Sequence, residues 1–168
     1  MTKVAAIIGG GVIGGGWAAR FVLNGWTVRV FDPDPQAERK ISEVLANARR
    51  SLPGLSEVAL PEEGPLAFCE TLEEAVKDAD WIQESVPERL DIKHATLAEM
   101  QKHCAPAAVI GSSTSGFKPS QLQEGAARPE QIMVCHPFNP VYLLPLVEVV
   151  TTKHNTAEHL NAAQSILR

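Results

Sequence analysis

The chain has 168 residues, enough for one domain with a substantial core, and 45% hydrophobic against 21% charged residues without a low-complexity run is a globular composition. A net charge of −5 argues against a nucleic-acid or anionic-membrane partner, which would call for a basic stripe. Cys69, Cys104 and Cys135 are odd in number and lack a CxxC or metal-type cluster, so the expectation is no disulfide framework, no metal and a reducing cytoplasm.

Lys3 to Ile8 is a short apolar run of the kind that forms a buried strand. The stretch VAAIIGGGVIGGGWAA that it opens has the outline of a secretion signal. Six glycines from Gly9 to Gly16, each costing about 1 kcal/mol against alanine in a helix, make it a poor one. Arg20 then arrives before a membrane-length span is complete, so the segment is read as folded protein. Val12 to Asn24 reads as a helix stopped by Asn24-Gly25. TVRVF, Thr27 to Phe31, is a second strand ending at Asp32. Asp34 is expected to cap the next helix, with Pro35 in its first turn and its end near Leu52.

SLPGLSEVALPEEGP then reads as a Pro-rich acidic loop with a broken helix, and LAFCE as a weak strand. TLEE, Thr71 to Glu74, has the form of a capping box opening a short helix. WIQES is a strand, Pro87 to His103 a helix, AVIGSS a strand, and Pro119 to Glu124 a short helix. The segments QIMVCHPF and LVEVVTT follow as strands, and a last helix begins near Thr156. This alternation predicts an α/β fold: a doubly wound, Rossmann-type, mostly parallel sheet with helices on both faces. No linker marks a second domain. The chain stops at Arg168 inside an amphipathic helix, so a fragment or truncated product is expected.

GGGVIG fits G-x-G-x-x-G with glycines at 9, 11 and 14. Its context gives the pattern weight: a strand before it, a helix after it, and an acid, Asp32, ending the next strand. Gly9 permits the tight turn, Gly11 lets backbone approach a pyrophosphate, and Gly14 lets helix and strand pack closely. Val12 and Ile13 lie at the helix N-terminus, whose free N–H groups face the phosphates. Asp32 accepts from the ribose hydroxyls and repels a 2′-phosphate, so NAD is the expected cofactor.

The nicotinamide of that cofactor belongs over the C-terminal ends of the later strands. Three polar features end strands there: SSTSG, His136, and Glu148 in the last strand. Oxidising an alcohol needs a base for the hydroxyl proton, and imidazole titrates in the right range. A carboxylate on the far ring nitrogen fixes the tautomer and stabilises the imidazolium. His136 and Glu148 are twelve positions apart, a spacing that a hairpin-like return can close. Glu148 sits in LVEVV, expected to be buried, where an unpaired carboxylate is costly and a histidine neighbour would explain it.

Together, GGGVIG, Asp32, SVPERLDIK, SSTSG and HPFNPVYLLPLVE resemble the L-3-hydroxyacyl-CoA dehydrogenase superfamily over nearly the whole chain, most closely its carnitine dehydrogenase branch. The resemblance implies that residues 1–168 are the NAD-binding domain, with His136 as general base and Glu148 as its orienting partner. It further implies that Ser115 binds the substrate hydroxyl and that Asn139 lies near substrate and nicotinamide. Glu88 and Lys93 would contact the cofactor ribose region, although each alone looks like a solvated helix face. A helical C-terminal domain, absent from this chain, would close the cleft and build a homodimer. HPFNP stands where hydroxyacyl-CoA enzymes commonly have HFFNP, and SSTSG where they commonly have SNTSS. Those departures leave the catalytic pair intact and weaken a CoA assignment.

No basic residue occurs between Arg50 and Lys77, which also counts against a CoA substrate. L-Carnitine carries a trimethylammonium group, which aromatic faces bind, and Phe117, Phe138 and Tyr142 lie near the site residues in sequence. Lys118 is a candidate for the substrate carboxylate. The leading expectation is NAD-dependent oxidation of the L-carnitine 3-hydroxyl. A hydroxyacyl-CoA or sugar-acid dehydrogenase is the alternative within that class, and a catalytically silent NAD-binding module the alternative outside it.

Overall fold

A computed structural model describes residues 3–168. Seven strands form one sheet in the order β3-β2-β1-β4-β5-β6-β7. They are β1 (Val4–Ile8), β2 (Thr27–Phe31), β3 (Leu66–Phe68), β4 (Trp81–Glu84), β5 (Val109–Ser112), β6 (Ile132–Pro137) and β7 (Val147–Val150). All neighbours pair in parallel except β6 and β7, which are antiparallel. Helices α1 (Val12–Leu23), α2 (Ala37–Ser51), α3 (Leu72–Val76), α4 (Leu90–His103), α5 (Pro119–Leu122) and α6 (Ala157–Leu167) connect or follow them. The order reverses at β1, opening a switch-point crevice between β1 and β4 at their C-terminal ends. Among the described residues no helix is long and apolar enough to cross a membrane.

Burial on both faces explains why the strands read as nearly unbroken apolar runs. Along β1, Ala5 and Ile7 join one core, with Trp17 and Phe21 of α1, Ile41 and Leu45 of α2, and Ala163 of α6. Ala6 and Ile8 join the other, with Leu97 and Met100 of α4 and Leu122 of α5. The first core centres on aromatics: Trp17 lies 5.8 Å from Phe21 and 6.1 Å from Trp81, centroid to centroid. The fully buried Trp81 also donates its indole N–H to Gln83 Oε1 at 3.0 Å.

Three local expectations are corrected. Helix α2 starts at Ala37 rather than behind an Asp34 cap. The Asp34 carboxylate instead accepts from the Gln36 N–H and its carbonyl from the Ala37 N–H, a turn that spends both groups before the helix begins. Helix α4 starts at Leu90 rather than Pro87, because Val86 and Glu88 are held by contacts outside the helix. Strand β7 is not a buried strand but the sheet edge, with alternating half-buried and exposed residues. The capping box of α3 is half as expected. Thr71 accepts from the Glu74 N–H, but the Glu74 carboxylate reaches the N–H of Glu70.

Trp81→Ala should remove the centre of the aromatic core and leave Gln83 short of a donor. A loss of about 3–5 kcal/mol in unfolding free energy is expected by chemical denaturation.

Candidate active site

The turn between β1 and α1 leaves no room for side chains at two of its glycines. Gly9 has φ +99°, and a Cβ there would lie 2.6 Å from the Ser85 carbonyl oxygen. A Cβ on Gly14 would lie 1.8 Å from the Gly9 carbonyl oxygen, so the close approach that Gly14 permits is to the turn itself. Gly11 is different. A Cβ there would meet nothing within 4 Å, so its backbone borders open space. Helix α1 carries no side-chain cap and no acid in its first turn, which leaves its first N–H groups for an anion. Val12 is exposed and Ile13 half-buried on that face. Asp32 closes the turn from the end of β2, its two carboxylate oxygens accepting from the N–H groups of Gly10 and Asp34. Each carboxylate oxygen accepts more than one bond, so ribose hydroxyls can still be held. These features fit the pyrophosphate and adenosine ribose of NAD.

At the other side of the crevice, His136 on β6 stands directly opposite Glu148 on β7. Nδ1 of the imidazole lies 3.4 Å from Glu148 Oε2, an ion-pair distance longer than the roughly 2.7–2.9 Å of a tight charged hydrogen bond. Nε2 makes no protein hydrogen bond among the described residues. Glu148 is an edge-strand residue with 61% of its side chain exposed, so burial is not what pairs it with histidine; the strand register is. The Phe138 ring stands edge-on to the imidazole at 5.8 Å. Phe138, Leu146 and Val150 flank the pair as exposed apolar side chains.

The other candidates divide. Ser115 and Asn139 are exposed, and the Ser115 hydroxyl has no protein partner among the described residues. Lys118 is exposed. The alternation of β6 puts His136 on the side of Val134, the face against which Phe117 packs. Tyr142 packs with the opposite core, so the three aromatics do not share one face.

Glu88 and Lys93 do not share a solvated helix face: Glu88 precedes α4 and is exposed, whereas Lys93 lies inside. Lys93 is 1% exposed, and its Nζ contacts Glu84 Oε1 at 2.8 Å, the Val86 carbonyl at 3.3 Å and Glu88 Oε2 at 3.3 Å. Three acceptors surround the ammonium, and of the three Glu88, with 42% of its side chain exposed, opens to solvent. Glu88 turns towards the SSTSG segment, where its Oε1 accepts from the Thr114 hydroxyl and from the N–H groups of Ser115 and Gly116. Burial pushes the Glu88 carboxyl up, but the Thr114 hydroxyl, the Gly116 N–H and Lys93 outweigh it, and its pKa falls below the ordinary glutamate value. Glu84, fully buried, accepts from Lys93, the Ser112 hydroxyl and the Val86 N–H. Sequence reasoning missed Glu84. The signal was an acid in the buried strand WIQES, in register with Ser112 of the next strand.

The profile of the family described as "3-hydroxyacyl-CoA dehydrogenase, NAD binding domain" matches residues 4–168. An L-carnitine dehydrogenase/betainyl-CoA thioesterase of Ruegeria pomeroyi is 70% identical over 164 residues, covering 98% of this chain and 34% of that protein. An L-carnitine dehydrogenase of Mesorhizobium japonicum is 55% identical over 163 residues, covering 96% of this chain and 45% of that protein. The chain thus spans less than half the length of either relative. Among solved structures, 3-hydroxybutyryl-CoA dehydrogenase of Escherichia coli superposes with TM-score 0.84 at 25% identity, over 99% of this chain and 36% of that one. A 5-formyl-3-hydroxy-2-methylpyridine 4-carboxylic acid 5-dehydrogenase, described as an NAD-dependent dismutase, gives TM-score 0.89 at 28% identity, over 100% of this chain and 55% of that one.

Gly11→Ala should leave stability within about 0.5 kcal/mol and yet lower NAD affinity at least about tenfold by calorimetry. Gly14→Ala should lose both. Because the Glu88 carboxyl is depressed, its stabilisation is present above the unfolded glutamate pKa of about 4.3 and is lost as pH falls through the lower folded value. The stability gap between the wild type and Glu88→Gln should therefore shrink on acidification across that window, as read by denaturant titrations at several pH values.

Proposed function

The chain belongs to the 3-hydroxyacyl-CoA dehydrogenase family as its NAD-binding domain, and from that premise we propose that it serves the oxidation of the L-carnitine 3-hydroxyl to the ketone. The observation that carries the proposal is His136 directly opposite Glu148 at the C-terminal edge of the sheet. Bound NAD supplies the acceptor for the hydride leaving the carbinol carbon. His136 Nε2, free of protein partners, takes the hydroxyl proton. Glu148, on the Nδ1 side, holds the tautomer that leaves Nε2 as acceptor and balances the imidazolium that forms. The free hydroxyl of Ser115 orients the substrate oxygen, and Asn139 lies where substrate and nicotinamide meet.

Phe138, with Phe117 on the same side of the sheet, offers the aromatic face that a trimethylammonium group needs. Of the two arginines that lead into the acidic loop, Arg49 is already paired with Glu63 at 2.7 Å, which leaves Arg50, bonded to the neutral Asn47 side chain, as the one unpaired cation there for CoA phosphates among the described residues. The exposed strip of Phe138, Leu146 and Val150 around the pair supports a cover over the site. We assign that cover to a helical domain following this one, in a cytoplasmic homodimer. The exposure of the pair also favours a second reading, in which this domain binds NAD and turns nothing over without the cover.

NADH formation from L-carnitine, from 3-hydroxybutyryl-CoA and from neither separates these readings. Preference for the CoA ester would contradict the carnitine assignment, and NAD binding without turnover would favour the silent module. In the full-length enzyme, His136→Gln should lower kcat by about 10²–10⁴-fold with NAD affinity retained. Normal turnover by that variant would remove the base.

A further inference from the structure

Strand β7 is four residues long and lies at the sheet edge, so a ladder holds only one of its sides. Its two half-buried residues, Val147 and Val149, are alike, and a slip of two positions would exchange one for the other, so the side-chain pattern fixes its register weakly. Bonded pairs recur at every second residue of an antiparallel ladder. The Phe138 N–H donates to the Leu146 carbonyl at 3.3 Å, which makes His136–Glu148 and Val134–Val150 bonded pairs as well. The next such pair would join the Thr152 N–H to the Ile132 carbonyl. An asparagine side chain stands between them instead. Asn155 Nδ2 donates to the Ile132 carbonyl at 2.8 Å, and Asn155 Oδ1 accepts from the Thr152 N–H at 2.8 Å. Gln123, buried at the end of α5, makes a second bridge between the same residues. Its Nε2 donates to the Ile132 carbonyl at 2.8 Å, and its Oε1 accepts from the Thr152 hydroxyl at 2.7 Å.

We propose that Asn155, with Gln123 behind it, is a positioning residue that fixes the register of β7 on β6 and so keeps Glu148 opposite His136. The proposal rests on the reading of that pair as base and orienting carboxylate. The two amide side chains are satisfied only when Thr152 lies across from Ile132, and a slip of β7 would leave a carbonyl, an N–H and both amides short of partners. The Phe138–Leu146 bond holds one end of the ladder and Asn155 the other, with the pair between them. Ile132 precedes His136 by four residues, about 13 Å along a strand, and lies at the end of the sheet opposite the glycine turn. Asn155 therefore stands out of reach of the crevice, and whatever it does for the chemistry passes through β7.

The test compares Asn155→Ala with Thr156→Ala, a control at the neighbouring position whose side chain caps α6 through the His159 N–H and bonds neither Ile132 nor Thr152. Cys135 and Val149 form an unbonded pair, where the two backbones approach most closely, so contact between their α-protons in nuclear magnetic resonance reports the register. In Asn155→Ala that contact should weaken, and amide exchange at Glu148 should rise about tenfold. The preference of the neutral His136 ring for a proton on Nδ1 should fall towards that of Glu148→Gln. In the full-length enzyme kcat for L-carnitine should fall about tenfold or more, with NAD affinity within about threefold of the wild type. Thr156→Ala should leave the contact, the tautomer and kcat unchanged. Gln123→Met keeps the asparagine bridge and should show the same changes at smaller amplitude; it carries the test if Asn155→Ala does not fold. An intact Cys135–Val149 contact with an unchanged tautomer would overturn the proposal, as would equal effects from Thr156→Ala. A weakened contact and a shifted tautomer with unchanged kcat would uphold Asn155 as the positioning residue and overturn the assignment of the base beneath it.

Discussion

One strand register decides whether the proposed base and its proposed orienting carboxylate meet. His136 faces Glu148 because β7 returns antiparallel along β6 with those residues as direct partners, and a slip of one residue would turn one of them to the other face. The connection that sets the register is itself anchored. Its two ends are joined by the Phe138 N–H donating to the Leu146 carbonyl. Val141 is buried against Gly16 of α1, where a Cβ would come within 2.8 Å, and Arg20 of the same helix donates to the Tyr142 carbonyl. Helix α1 begins at the glycine turn. The helix that opens at the glycine turn with an uncapped N-terminus therefore also holds the loop that sets the register of His136 and Glu148.

The parallel sheet explains why so much chemistry collects at one edge. Every strand from β1 to β6 ends on the same side, so the glycine turn, Asp32, Glu84, Ser112 and His136 are gathered there by topology although they are scattered in sequence. Backbone bonds carry the order past the strand ends: the Ser85 N–H donates to the Ile8 carbonyl and the Ser113 N–H to that of Glu84. Side chains extend it, with Gln83 bonded to Ser113 and Ser113 to Ser85. Buried polar groups in such number are stable only when satisfied, and satisfied networks make a site rigid.

Much of this was legible in the amino-acid order. Buried strands are apolar runs, the glycine turn has steric reasons that survive in the structure, and the hairpin return of the histidine and glutamate followed from spacing. What was not legible depends on tertiary neighbours. The charge pattern of α4 cannot show that Lys93 points inward, because its counter-ion Glu84 belongs to another element. The apolar flanks of Glu148 imitate a buried strand, although β7 lies at the sheet edge and leaves alternate residues exposed. Phe117 and Tyr142 are near the site in sequence but pack with different cores. Asp34 reads as a helix cap but spends its carboxylate on a turn one step earlier.

The proposed proton transfer depends on the Glu148 carboxylate selecting the His136 tautomer. Nitrogen-15 chemical shifts of the His136 ring measure that directly in the neutral imidazole. A base at Nε2 requires the proton on Nδ1, facing Glu148, with Nε2 bare, and a loss of that preference in Glu148→Gln. A proton resident on Nε2, or a ring indifferent to the loss of the carboxylate, would contradict it.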